Sequence, residues 1–258
     1  MNRRNFVSAA TTAGLAATTP APGTSAPSIF ELRWFHLRNG NQVQKTTDFL
    51  GKHFLPAAQR AGAGPLGFFG AVIGEQAPFA LVLSSYPTLN AMADAMDKMA
   101  SDKAFQKAFD EYNSLAEPSY MRMENSLLRG FDTWPNVVLP PAGAGSGPRI
   151  FELRTYESSN LKAGKRKIKM FDEGEAAIFK RLGMNPVFFG ETIVGRNLPN
   201  LTYMLAFDNL AAREALWAKF GSDPEWQKLR SNPELSDALI VSNISNSILR
   251  PLPFSPIR

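Results

Sequence analysis

Two short strings place a carboxylate and a guanidinium two residues apart among apolar neighbours: Ile29-Phe30-Glu31-Leu32-Arg33 and Ile150-Phe151-Glu152-Leu153-Arg154. An extended chain turns successive side chains to opposite faces. Glu31 and Arg33 therefore share a face with Ile29 and Phe35, opposite Phe30, Leu32 and Trp34, and the second string repeats the pattern up to Tyr156. Alternate residues lie about 6.6–7 Å apart along a strand, within reach of long side chains. Phe and Leu suit a helix-covered face, which assigns Glu31, Arg33, Glu152 and Arg154 to the other side of the sheet. A buried charge must be paired, hydrated or met by a ligand. The four residues thus read either as the wall of a cavity for a small polar or anionic molecule, or as a closed ion-pair network that fixes strand register.

Other chemistry is sparse. The chain has no cysteine, which excludes disulfides, thiolate metal sites and a cysteine nucleophile. Its histidines are His36 and His53. His53, inside an apolar helical stretch, is a candidate axial ligand for haem or an acid–base group, set against a packed or solvent-facing role. His36 falls near a strand end and out of phase with Arg33. No haem-attachment motif, phosphate-binding glycine loop, serine elbow or paired-acid motif occurs. No metal is expected, and no cofactor motif is present, with haem or another small ligand left open. The run Lys162, Lys165, Arg166, Lys167 and Lys169 reads as a solvated helix face or a contact for an anionic partner. Met92, Met96 and Met99 have the spacing of a core or interface stripe.

The elements that carry these residues occur twice. Besides the first pair of strings, Phe68-Phe69-Gly70 recurs as Phe188-Phe189-Gly190, Ser101-Asp102 with Phe105-Gln106-Lys107 as Ser222-Asp223 with Trp226-Gln227-Lys228, and Asn125-Ser126 with Leu128-Arg129 as Asn246-Ser247 with Leu249-Arg250. The matches keep one order and nearly one offset, the signature of an internal duplication. Each copy reads strand, helix, hairpin, helix, strand. The first strands cover 29–37 and 150–156, and the first helices 43–61 and 161–182, stopped by Gly62 and Gly183. Hairpins cover 67–86 and 187–207, and second helices begin after Thr88 and Asp208-Asn209 and restart at Ser101 and Ser222, before closing strands over 120–129 and 240–249. This βαββαβ order is the ferredoxin-like unit, whose sheet has one bare face. Two copies in one chain would cover each other, giving an α+β barrel of two modules packed sheet to sheet. The modules are set at 29–131 and 150–258, with a Pro/Gly-rich linker at 132–149.

The amino terminus reads as an address. Arg3-Arg4-Asn5-Phe6 opens a weakly apolar stretch ending in small residues near Ala26, and resembles the twin-arginine (Tat) signal of bacterial export. Residues 1–26 hold Arg3 and Arg4 and no acid, so their removal would lower the formal charge from +5 by two. That balance is too mild for a nucleic-acid partner. The stretch is too short and too diluted with threonine for a membrane span, and the mature protein is placed in the periplasm or outside the cell.

Residues 150–156, the run Arg181-Leu182-Gly183-Met184 with Pro186-Val187-Phe188-Phe189-Gly190-Glu191, and the run Leu198-Pro199-Asn200-Leu201-Thr202-Tyr203 resemble the NIPSNAP family. The first copy is a weaker match, with Trp34-Phe35 in place of Thr-Tyr. The resemblance implies a dimeric α/β-barrel fold and no assigned reaction for bacterial members. The function expected is an exported small-ligand or protein-binding and assembly module, with a possible homo-oligomer. The alternative it implies is a barrel enzyme, such as a cofactor-free or haem-dependent monooxygenase.

Overall fold

The computed structural model describes residues 26–141 and 149–258. The export residues Arg3, Arg4 and Phe6, and residues 142–148 of the Pro/Gly-rich linker, lie outside the described residues.

The first half runs β1 (Ile29–His36), α1 (Asn41–Phe49), a π turn (Leu50–Phe54), α2 (Leu55–Ala61), β2 (Leu66–Ile73), β3 (Phe79–Tyr86), α3 (Leu89–Ser101), α4 (Lys103–Tyr112) and β4 (Arg122–Gly130). The second half repeats the order with β5 (Ile150–Glu157), α5 (Leu161–Met170), a π turn (Phe171–Glu175), α6 (Ala176–Leu182), β6 (Pro186–Val194), β7 (Asn200–Phe207), α7 (Leu210–Ser222), α8 (Pro224–Arg230), α9 (Asp237–Ile240) and β8 (Asn243–Pro251). The last strand starts later than the sequence suggests, because Ile240 closes α9 and is buried against Ala163 and Met170 of α5.

Local chemistry accounts for the breaks. Gly62 and Gly183 end α2 and α6 at φ 95° and 82°, a left-handed conformation that costs glycine little. Thr88 and Asn209 cap α3 and α7 through Ala91 and Ala212 N–H groups. Asp102 and Asp223 cap α4 and α8, which is why each second helix stops and restarts.

The eight strands form one closed antiparallel barrel in the order β1-β3-β2-β8-β5-β7-β6-β4. Each half supplies four neighbouring strands, and the halves join along β2–β8 and β4–β6. Closure leaves no free sheet edge. At the β4–β6 join a Cβ on Gly190 would stand 2.9 Å from the Cβ of Leu128, so only glycine lets the strands approach this closely.

Closure also decides which face is inside. Phe30, Leu32, Phe69, Leu81, Leu83, Leu128, Phe151, Leu153, Phe188, Met204 and Leu249, drawn from both halves, make one buried cluster in the barrel. Ring pairs Phe30–Phe188 at 5.6 Å and Phe69–Phe151 at 4.9 Å cross between the halves. Separate clusters lie under the helices, one around Phe49, Phe54, Phe68 and Val82, the other around Phe171, Phe179, Phe189 and Tyr203. The alternation expected along β1 and β5 holds, but its sides are the reverse of those expected. Phe30, Leu32, Phe151 and Leu153 fill the barrel, whereas Glu31, Arg33, Glu152 and Arg154 lie beneath the helices. The physical reason is volume: a small eight-stranded barrel is a packed core that needs large apolar side chains. The charges find partners on strands and helices outside it.

One end of the barrel is plugged. Val137 and Ile257, from the segments after β4 and β8, belong to the interior cluster. Val138 donates its N–H to the Val187 carbonyl at 2.8 Å, and Trp134 packs on Phe189 at 5.5 Å. The stretch from 132, expected to be linker, is therefore part of the packed structure through Val138.

Candidate functional site at the barrel mouth

The inward positions of the strands change character along the barrel axis. On β4 they run Leu128, Ser126, Glu124; on β8, Leu249, Ser247, Ser245; on β5, Phe151, Leu153, Thr155; on β1, Leu32, Trp34, His36. Each series turns polar toward the same end, where the β2–β3 and β6–β7 turns overhang. Apart from Leu128, Leu249 and Phe151, which belong to the buried interior cluster, these residues line a cavity of about 170 Å³ that opens at the barrel mouth. Apolar walls pass into a ring of hydroxyls, an imidazole and a carboxylate.

Glu124 is the charged anchor of the mouth. It accepts from Nε of Arg122 at 2.8 Å and from Nη1 of Arg196 at 2.6 Å. Arg196 sits in the β6–β7 turn, so the second half grips a residue of the first. Burial opposes the charge on Glu124, but the bonds from Arg122 and Arg196 overcome it and hold the carboxyl down at about 2. Arg122 also donates to Gln76 of the β2–β3 turn.

His36 is 4% exposed, and its Nε2 lies 3.4 Å from Glu124 Oε1. That is an ion-pair distance, yet neither ring nitrogen has a well-formed hydrogen bond among the described residues. Burial and the nearby Arg122 lower the imidazole pKa against the pull of Glu124, so the ring is neutral at neutral pH. A neutral imidazole offers one donor and one acceptor. Trp34, half-buried, lines the same cavity with its ring edge-on to Phe79 at 4.8 Å. Other rim groups are held in place: Thr155 and Thr202 share a hydrogen bond of 2.9 Å, and Thr192 donates to Asn200 at 2.6 Å.

The residues singled out in the sequence lie elsewhere. Glu152 is fully buried under α7, where it accepts from Arg154 at 2.9 Å, Arg213 at 2.6 and 2.9 Å, Trp217 at 2.7 Å and Asn246 at 3.0 Å. Glu31 accepts from Arg33 at 2.7 Å and Asn125 at 2.9 Å. Glu152 has protein donors on both oxygens, whereas those of Glu31 converge on Oε1, and Glu31, Arg33, Glu152 and Arg154 are absent from the mouth lining. His53 is exposed on the first π turn, its ring 6.3 Å from that of Phe49. Lys167, expected on the solvated helix face, is buried instead and pairs with Glu175 at 3.1 Å, its ammonium over the rings of Tyr156, Phe171 and Trp226. Met92 and Met99 pack on the core of the first half, but Met96 is 52% exposed.

Assigning Glu31 and Arg33 to the interior face of β1 leaves the mouth residues on the opposite face, so the sequence reading does not reach them. The signal was present: Trp34 and His36 continue the inward alternation of Phe30 and Leu32. Among the described residues no three His, Asp or Glu side chains converge as a metal site, and no helix is long and apolar enough to cross a membrane.

Barrel and mouth together define a mixed α/β protein built on a closed, eight-stranded antiparallel barrel. Solved structures that span most of this chain share that fold. A provisionally named monooxygenase from Fusobacterium nucleatum is 9% identical over 88% of this chain and 93% of its own, with a TM-score of 0.56. One from Lactobacillus acidophilus is 11% identical over 86% and 93%, with a TM-score of 0.55. A NIPSNAP family protein from Agrobacterium tumefaciens is 28% identical over 43% of this chain and 99% of its own, with a TM-score of 0.38. Residues 151–256, in the carboxy-terminal half, match the family model described as NIPSNAP. No curated protein matches the chain.

Proposed function

We propose that the chain is an exported binding protein made of two NIPSNAP-like, ferredoxin-like modules, which holds a small polar molecule in the mouth between them. The observation that carries this reading is the mouth itself: a cavity of about 170 Å³ whose wall carries Ser126, Ser245 and Ser247, hydroxyls that make no side-chain hydrogen bond among the described residues. Binding is favoured over structure alone because those three hydroxyls are left for a guest while the charged groups of the mouth, Glu124 and Arg196, are already paired. The ion pairs at Glu31–Arg33 and Glu152–Arg154 fit the register-fixing role. Native mass spectrometry of protein purified from its own compartment tests the reading. A small molecule should travel with the wild type and be missing from Ser126→Phe, which fills the cavity. A ligand retained by that variant would refute the site.

Export through the Tat route rests on Arg3-Arg4 and the weakly apolar stretch after them. Lysine at both positions should abolish transport of the folded protein, and undiminished export would refute it.

A second reading is an enzyme of the oxygenase kind, supported by the shared barrel and by a neutral histidine beside a carboxylate, the pairing suited to a general base. Haem does not fit it. A cavity of about 170 Å³ is smaller than the roughly 300 Å³ at which drug-sized sites begin. Substrate-dependent oxygen uptake that disappears in His36→Phe would favour the enzyme.

A further inference from the structure

The two turns that overhang the mouth are one turn repeated 121 residues apart, with one change of chemistry. Gly74-Glu75-Gln76 in the first half answers to Gly195-Arg196-Asn197 in the second. Gln76 and Asn197 both stand in the left-handed region, at φ 60° and 56°, so the two turns take the same bend. Each glycine lies against a mouth serine of the strand across the join. A Cβ on Gly74 would stand 2.9 Å from Ser247 Oγ of β8, and one on Gly195 would stand 2.6 Å from Ser126 Oγ of β4. The residue after each glycine therefore leaves the chain beside that serine, and both residues line the cavity. In the first turn it is a carboxylate, in the second a guanidinium.

Each charge has bonding capacity left. Glu75 is exposed on the rim and makes no ion pair among the described residues. Arg196 gives Nη1 to Glu124 at 2.6 Å, which leaves its Nε and Nη2 without a protein acceptor among the described residues. Glu124 is shared with Arg122, which lies outside the lining, so two guanidinium groups meet one carboxylate and the Arg196 lip keeps a surplus positive charge. The bond and charge of Glu124, with a smaller pull from Glu75, raise the Arg196 pKa. A cation entering the mouth would find Glu75 but be repelled by Arg196, and an anion would find Arg196 but be repelled by Glu75. Either would strip water from one lip without giving it a partner. Between the lips, the hydroxyls of Ser126 and Ser247 make no bond of their own and, unlike the His36 nitrogens, are not sealed from solvent. A hydroxyl accepts from an ammonium as readily as it donates to a carboxylate. The cavity is close in volume to the roughly 150 Å³ that encloses a benzene ring, and Trp34 supplies an apolar wall.

We infer that the barrel mouth binds a small zwitterion, a short amino acid with a free ammonium and a free carboxylate. The ammonium sits on Glu75 and Ser247, the carboxylate on Arg196 and Ser126, and the carbon chain against Trp34. The assignment rests on the binding reading above and adds the class of ligand to it.

The test is calorimetric titration of the purified protein with glycine, L-alanine and γ-aminobutyrate, and with butylamine and butyrate, which each keep one charge of the last. At least one zwitterion should bind saturably, about tenfold or more tighter than butylamine and butyrate alike, because each of those forgoes one charged hydrogen-bonded contact. Both lips are exposed, so Glu75→Gln and Arg196→Gln are expected to fold. Each should weaken the zwitterion by about tenfold or more, and each should narrow one preference: Glu75→Gln that over butyrate, Arg196→Gln that over butylamine. Arg196→Lys, which keeps the charge, should retain more affinity than Arg196→Gln. Butylamine or butyrate binding as tightly as every zwitterion, and still weakened by Glu75→Gln or Arg196→Gln, would overturn the ligand class and leave the mouth as a binding site. Zwitterion binding indifferent to both residues would place the ligand elsewhere and overturn the inference. If no probe binds while a molecule still travels with wild type but not Ser126→Phe, the class is wrong and the site stands; if neither occurs, both fall.

Discussion

The helix-covered faces of the two halves begin from the same strand motif and are finished differently. In the second half, α7 lowers Arg213 and Trp217 onto Glu152, and Lys167 and Glu175 extend the polar cluster under Tyr156. In the first half, the positions 121 residues earlier hold Met92 and Met96, Thr46 and Phe54. There Glu31 has Arg33 and Asn125, and the Arg33 guanidinium rests over the Phe54 ring at 5.5 Å. The shared part, a Glu-x-Arg pair with an asparagine on the adjoining strand, is what both sheets need. The rest is an elaboration of one half, the half whose residues match the NIPSNAP family model. A polar pair in a sheet and a polar network beneath helices are therefore separable features.

Removing the hub of the larger network should have the largest effect. Glu152→Ala leaves Arg154 and Arg213 without their carboxylate, and the expected loss of unfolding free energy is about 3–5 kcal/mol. Urea denaturation with an unchanged slope checks it. A loss under about 1 kcal/mol would show that the network is not a stability element. Lys167→Met should cost a similar amount by stranding Glu175, whose carboxyl burial already raises. Lys167→Met with Glu175→Leu should recover most of that loss, since a well-packed apolar pair often matches a buried ion pair. A double variant no better than the single would mean that the charges do more than satisfy each other.

In the first half, Glu31→Ala should cost less, about 1–3 kcal/mol, because fewer donors are stranded. Equal losses at Glu31 and Glu152 would erase the contrast between the faces. The smallest effect expected is at the mouth. The Glu124 carboxyl is held at about 2 in the folded protein and titrates near 4.5 when free. The unfolded chain therefore takes up the proton first on acidification, and the stabilisation from Glu124 is full above pH 4.5 and fades toward pH 2. The stability difference between wild type and Glu124→Gln should shrink over that window, and a constant difference would refute the coupling to Arg122 and Arg196.

The duplicated strand–helix order was legible because its punctuation is local. Gly62, Gly183, Thr88, Asn209, Asp102 and Asp223 act through their own backbone or the next turn, and they are readable without knowing the fold. Which face of β1 points inward was not legible. Alternation gives phase and not direction, and in a closed barrel under helices both faces are buried. Every residue of β3 and β7 is buried, so these strands show no polar side to orient them. The Glu and Arg residues were visible by type, but their partners Arg213 and Trp217 lie some sixty positions away. His36 became meaningful only when β4, β5 and β8 brought Glu124, Thr155 and Ser245 around it.

The rim of the mouth draws on both halves but does not use them alike. At positions 121 residues apart, His36 answers to Glu157, Glu124 to Ser245 and Trp34 to Thr155. A barrel assembled from identical subunits must present every rim side chain in duplicate about its twofold axis. This single polypeptide escapes that constraint, so a lopsided guest can meet a different chemical group on each flank, and one orientation can be preferred over its flipped counterpart.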